Sequence, residues 1–230
     1  MDKDSIIKDV TSKTNGTINY IMSKIAYIWD KDATKFYIAG GCLASRSICD
    51  IDIFPIGNTK VAYPKKAELI VRTKNASTFK TDMWPIQICN YRHETLKELV
   101  DSFDYAHIQI GAMVSLDTNG WHCIEEVYFT DDFIKAKVTD TTWFCGSKYP
   151  LSSLVRAAKY KEKKVFPRTG AYVAAVLGVM VAVIKRGFSD YEDFKDQLDA
   201  VDLGMVPDEF KDLEFLELKE LYNLLAENKE

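Results

Sequence analysis

Asp50 and Asp52 stand one residue apart in the run Asp-Ile-Asp-Ile that leads into Phe54-Pro55. Alternation of this kind reads as a half-buried strand, Asp50–Pro55, and residues i and i+2 on a strand share a face about 6–7 Å apart. Two carboxylates at that spacing can share one divalent cation or bridge two. Magnesium takes hard oxygen ligands, commonly one or two carboxylates together with substrate phosphates. A two-metal arrangement stabilises the attacking and leaving oxygens of a displacement at phosphorus. Upstream, Gly40-Gly41 closes a predicted strand, Phe36–Ala39, and opens a predicted helical turn, Cys42–Arg46. Glycines let a backbone approach a triphosphate, and the N–H groups of a helix start favour anions. Ser45 and Arg46 add a hydroxyl and a guanidinium within reach of phosphate oxygens. Either pair alone says little, and a solvated strand face is the competing reading of the two aspartates. The order strand, Gly-Gly, short helix, Asp-x-Asp within Phe36–Phe54 is more specific.

The elements that must position these residues follow from periodicity. Apolar residues from Ile6 to Ile28 predict a short helix, a break at Asn15-Gly16, and a second helix over Thr17–Trp29. Lys65–Leu69 reads as a brief helix or turn, Ile70–Thr73 and Ser77–Lys80 as a hairpin, and Pro85–Asn90 as a strand carrying Gln87. A helix follows Thr95. Ala106–Leu116 and Trp121–Val127 then form a hairpin around Asp117-Thr118-Asn119-Gly120. From Leu151 the pattern is helical: Ser152–Lys163, Ala171–Lys185, Asp190–Asp202 and Asp208–Glu227. The expected fold class is α+β, a mixed sheet with flanking helices followed by a C-terminal helical domain. The expected divisions are 1–30, 31–145 and 146–230.

A hydrophobic share of 47% suffices for a proper core. Met1–Tyr20 has no charged-then-apolar leader, since Asp2 and Asp4 occupy the place of positive charge. The apolar run Ala171–Ile184 falls short of the roughly 20 residues of a membrane span, so it reads as a buried core helix. The expectation is a cytoplasmic protein with no membrane partner. Five scattered cysteines without a CxxC pair argue against a zinc site or a disulfide framework. His93, His107 and His122 make no metal-binding pattern. At a net charge of −4 no global field attracts nucleic acid, so a polynucleotide would need a local basic patch. Arg156, Lys159 and Lys163 supply one by helical spacing, either as an acceptor-binding surface or as a solvated helix face. Arg72, Lys74 and Lys80 form a smaller cluster with the same two readings.

The segment FYIAGGCLASRSICDIDIF (Phe36–Phe54) resembles the signature of the polymerase-β-type nucleotidyltransferase superfamily. Weaker similarity to small phage and bacterial members continues in VRTKNAST (Val71–Thr78), WPIQICN (Trp84–Asn90), SFDYAHIQIGA (Ser102–Ala112) and PLSSLVRAAKYKEKKVF (Pro150–Phe166). The resemblance implies transfer of a nucleoside monophosphate from a nucleoside triphosphate to an acceptor such as an RNA end, a protein or a small molecule. It implies Asp50 and Asp52 as ligands of Mg²⁺ or Mn²⁺, and Gly40 and Gly41 against the triphosphate. Members often carry a third carboxylate on a later strand. The matching position here is Gln87, an amide, with Asp104 as a possible substitute third acid. Asp104 has two other readings, facing solvent or capping a helix. A catalytically silent binding or structural subunit is the alternative.

Overall fold

In the computed structural model, which describes residues 2–29, 33–45, 47–59, 63–199, 220 and 222–223, the chain divides into two units, Met1–Thr139 and Asp140–Glu230. The first unit opens with α1, Lys3–Ile25. Asp2 caps it by accepting the Ser5 backbone N–H at 2.9 Å, and these hydrogen bonds hold the Asp2 carboxyl below its ordinary pKa. The expected break at Asn15-Gly16 does not occur. A mid-helix glycine costs only about 1 kcal/mol relative to alanine. Val10, Thr14, Ile18, Ile21, Met22 and Ile25 are all buried along one side of the continuous helix. Burying one large aliphatic side chain contributes about 1.5–3 kcal/mol, so packing outweighs local propensity. A 3₁₀ turn, Ala26–Trp29, completes the element.

Seven strands form one mixed sheet in the order β3-β4-β5-β2-β1-β6-β7. They are β1 Thr34–Ala39, β2 Ile51–Pro55, β3 Glu68–Arg72, β4 Ala76–Lys80, β5 Ile86–Cys89, β6 Ile110–Leu116 and β7 His122–Phe129. Only β2 and β5 run parallel; the other neighbours are antiparallel. Lys65–Leu69, expected as a brief helix or turn, is a turn that passes into β3, and Ala106–Ile108 is a 3₁₀ turn ahead of β6.

Strand alternation sorts side chains to two apolar layers. Phe36, Ile38, Ile51, Ile53, Ile86, Ile88, Ala112 and Val114 pack with the α1 residues and Trp29. Tyr37, Ala39, Phe54 and Cys89 face the other way, against Leu96, Leu99 and Val100 of α3, Leu96–Asp101. A capping box between Thr95 and Glu98 starts α3. Gly111 lets the helix seat closely: a Cβ there would lie 2.9 Å from Val100 Cγ2 and 3.0 Å from both Ala39 Cβ and Leu96 Cδ1. Helix α4, Asp131–Thr139, closes the unit and buries Phe133, Ile134 and Ala136.

The second unit contains α5 Pro150–Glu162, α6 Thr169–Arg186 and α7 Tyr191–Asp199. Proline at the first turn suits α5, because its missing N–H would have no helical acceptor there. Phe188 and Phe194 meet edge to face at 5.1 Å. Arg186 donates to both carboxylate oxygens of Asp193, at 2.9 and 2.8 Å, which holds that carboxyl at about 2. Helix α6 corrects the expectation of a buried core helix. Ala175 and Val179 are buried, but Val173, Leu177, Met180, Val181 and Ile184 are exposed. Its sequence is apolar on every side, so composition could not reveal which side lacks a cover. At 18 residues and a mean hydropathy of 1.5, it is the one described helix long and apolar enough to cross a membrane. The expected helix Asp208–Glu227 lies outside the described residues except at Glu220, Tyr222 and Asn223. The architecture is therefore α+β: a seven-stranded mixed sheet with flanking helices, followed by a helical unit.

Candidate functional site

Strand β1 ends at Ala39, and Gly40 turns the chain with φ 84° and ψ −138°. That conformation favours glycine. Its N–H still donates to Ile110 O at 2.8 Å, so the turn is anchored to β6. Phe103 covers it, with ring atoms 3.7 Å from where a Cβ would stand, and also packs on Phe54 with ring centroids 6.0 Å apart. The following helix α2, Gly41–Ala44, is a single turn whose Leu43 and Ala44 N–H groups donate to Gly40 O. The N–H groups of Gly41 and Cys42 have no backbone acceptor among the described residues, as a helix's first amides should not. Ser45 is exposed at the end of the turn, and Arg46 lies outside the described residues.

Asp52 sits on β2, on the sheet face opposite that of Ile51 and Ile53, and Asp50 immediately precedes the strand. Both are half-buried. Cys42 joins this strand to the Gly40–Gly41 turn. It is buried, and its S–H donates to Ala39 O at 3.8 Å. Burial first, and then the charges of Asp52 and Asp50, push its thiol far above the ordinary range. A thiol so disfavoured as thiolate is a packing element and not a nucleophile. Asp50 has no hydrogen bond or cationic partner among the described residues.

Parallel pairing puts Asp52 in register with Gln87 on β5, and antiparallel pairing puts Gln87 in register with Thr78 on β4. Register partners share a face about 4.8 Å apart, so Asp52, Gln87 and Thr78 form a row across three strands. Gln87 is half-buried, and its amide makes no hydrogen bond among the described residues. Sequence reading missed Thr78 and Phe103 as neighbours of the site, although both lie in the quoted segments Val71–Thr78 and Ser102–Ala112.

Asp104 follows Phe103 and is 2% exposed. That excludes the solvent-facing reading. Its charge acts on half-buried His107, whose imidazole burial holds down at about 4 despite that opposing influence. Among the described residues no group of three or more His, Cys, Asp or Glu side chains is placed to hold a metal ion. In this conformation Asp104 therefore does not make a trio with Asp50 and Asp52. In the second unit, Arg156 and Lys159 lie half-buried on α5, and Lys163 is exposed at its C-cap. Their spacing puts them within roughly 60° of one another around the helix. Arg72 reaches over the Tyr63 ring at 5.6 Å, while Lys74 and Lys80 are exposed.

No protein-family model matches the sequence, and no curated protein matches it. Among solved structures, the chain is similar to one described as "Structure of tRNA-processing enzyme complex 3", with a TM-score of 0.44 and 14% identity. The alignment covers 84% of this chain and 53% of that one, so this chain spans about half the length of the structure it matches. Similarity at this level carries no functional weight.

Proposed function

We propose that the corner formed by Gly40–Gly41, Asp50, Asp52 and Gln87 binds a nucleoside triphosphate with a divalent cation, and that the protein is a nucleotidyltransferase. The supporting observation is the pair of aspartates at the start of β2, joined to the Gly40–Gly41 turn through Cys42, with Asp50 lacking a cationic partner among the described residues. The donor set fits Mg²⁺ or Mn²⁺: two hard carboxylates from the protein leave the other positions to phosphate and water. When bound, the cation offsets triphosphate charge and polarises the phosphorus centre. Asp50 and Asp52 would hold it. The Gly41 and Cys42 amides supply N–H donors for phosphate oxygens, and the bare Gly40–Gly41 backbone permits close approach. The exposed Ser45 hydroxyl, at the end of the turn, extends that contact. The Arg156, Lys159 and Lys163 face suits phosphate contacts along an RNA acceptor.

A specific observation favours a second reading. Gln87 can donate and accept hydrogen bonds, but it cannot take up an acceptor proton or ligate a cation with charge. A site whose row reads Asp52, Gln87, Thr78 suits nucleotide binding better than acceptor activation, which is the expectation for a silent binding subunit. The two readings share a nucleotide site and separate at transfer.

A thermal-shift titration with each nucleoside triphosphate, with and without Mg²⁺ or Mn²⁺, tests the shared part. Ligand at 100 times its Kd stabilises a protein by about 2.7 kcal/mol. Only nucleotide and cation together should raise the melting temperature, and Asp50→Asn or Asp52→Asn should abolish the shift with the fold intact. Both variants responding like the parent would refute the site. Transfer of label from α-labelled nucleotide to RNA or protein then separates enzyme from silent subunit.

A further inference from the structure

A concavity of about 600 Å³, open to solvent, lies in the first unit between α1, α2 and Trp84. Lys13, Gly16, Tyr20, Ser45, Trp84 and Lys137 line it. The glycine is the informative residue. Gly16 sits in the middle of α1, where glycine costs about 1 kcal/mol relative to alanine. A Cβ there would meet nothing within 4 Å, so no neighbouring atom requires its absence. Its effect is to keep the concavity open, since a side chain at this position would project into it.

The walls combine aromatic surface with positive charge. Tyr20 is 48% exposed and meets Trp84 edge to face, ring centroids 5.7 Å apart. Trp84 is held in place: Thr81 Oγ1 accepts the Met83 and Trp84 N–H groups, each at 3.2 Å, and donates to Trp84 O at 2.8 Å. Lys13 pairs with Asp9 at 2.7 Å, whereas Lys137 on α4 has no ion pair among the described residues. Lys13 and Lys137 share the lining with Tyr20, Trp84 and the apolar Leu43 and Ile48, and Lys24 lies over the Tyr20 ring at 5.8 Å, a combination that matches a ligand carrying both a flat heterocycle and a phosphate. The place of the concavity adds a constraint. Cys42 contributes to its lining while also lying under Asp50 and Asp52. Pro85, next to Trp84, accepts the N–H of Ile51 at 3.0 Å. The concavity and the aspartates are thus two sides of one short segment.

We infer that this concavity is a binding site for the terminal nucleotide of a single-stranded polynucleotide, its base against Tyr20 and Trp84 and its phosphate between Lys13 and Lys137. The strand-end assignment rests on the proposed nucleotide site, whereas binding in the concavity does not require Asp50 or Asp52 to hold metal. Tryptophan fluorescence of the full chain, titrated with 5′-phosphorylated tetra-adenylate and separately with AMP, provides the test. Tetra-adenylate and AMP should both quench the fluorescence, the oligonucleotide binding at least as tightly as AMP. Gly16→Leu should keep the parent circular dichroism spectrum and at least the parent melting temperature, yet weaken binding ten-fold or more. Lys137→Glu should weaken binding and lower the slope of log affinity against log salt by about one. Full affinity in Gly16→Leu, or an unchanged salt slope in Lys137→Glu, overturns the site. Quenching by AMP with none by tetra-adenylate overturns the strand-end assignment in favour of a free-nucleotide site. Loss of the metal-dependent nucleotide response in Asp50→Asn leaves this titration unaffected, which separates the two proposals.

Discussion

Replacing Gly40 and Gly41 one at a time by alanine separates backbone strain from nucleotide contact, because the two glycines differ in conformation while being adjacent. At Gly40 the φ of 84° with ψ −138° is a conformation L side chains rarely adopt, at a cost of about 1–2 kcal/mol. Sterics add little: the nearest atom to a new Cβ is a Phe103 ring carbon at 3.7 Å, an ordinary contact. Gly40→Ala should therefore destabilise the first unit by about 1–2 kcal/mol. For a chain of this size 1 kcal/mol corresponds to roughly 2–4 °C, so its transition should fall by about 2–8 °C. Gly41 heads α2, and a Cβ there meets nothing within 4 Å. Gly41→Ala should leave the transition unchanged or raise it slightly. Tryptophan fluorescence during urea or thermal unfolding reports chiefly on this unit, since Trp29, Trp84 and Trp121 lie in it and only Trp143 lies in the other. Nucleotide-induced stabilisation should shrink in both variants. In Gly41→Ala that loss would arise without any loss of fold, because the methyl stands where the triphosphate approaches. Equal stabilities for the two variants would refute the strain argument. A full nucleotide response in Gly41→Ala would refute the close approach.

Two further outcomes follow from side chains away from that turn. His107 has a folded pKa of about 4, below its ordinary 6.5, because burial outweighs the influence of Asp104. The unfolded chain then binds more protons, so this group makes stability fall as pH drops from about 6.5 to about 4 and level off below. His107→Gln should flatten the denaturation midpoint over that window, and an identical pH dependence in parent and variant would refute the assignment. Replacing Arg156, Lys159 and Lys163 together by alanine should weaken RNA binding and lower its salt slope by about two to three, while the nucleotide response is retained. Unchanged RNA affinity would return these residues to the role of a solvated helix face.

Most of the fold could be read from the sequence because its elements are locally encoded. The alternation Asp-Ile-Asp-Ile gave β2, and the hairpin around Asp117–Gly120 emerged as β6 and β7. Local rules failed where tertiary contact decides. Asn15-Gly16 carries a break signal, but the buried side of α1 runs through it. Helix α6 looks like core by composition, and only three-dimensional placement shows its exposed stripe from Val173 to Ile184.

The candidate site divides along the same line. Gly40, Gly41, Asp50 and Asp52 fall within one short segment, so spacing alone could assemble them. What spacing could not supply is the row of Asp52, Gln87 and Thr78, which depends on a parallel pairing of β2 with β5 and an antiparallel return through β4. A register shift of one residue would send Gln87 to the α1 side of the sheet and bring Ile86 or Ile88 beside Asp52. The burial of those two isoleucines against α1 fixes the register, so the apolar core determines that the neighbour of Asp52 is an amide. Under the proposed reading, the choice between transfer and mere binding thus turns on one position whose identity was plain in the sequence and whose neighbourhood was not.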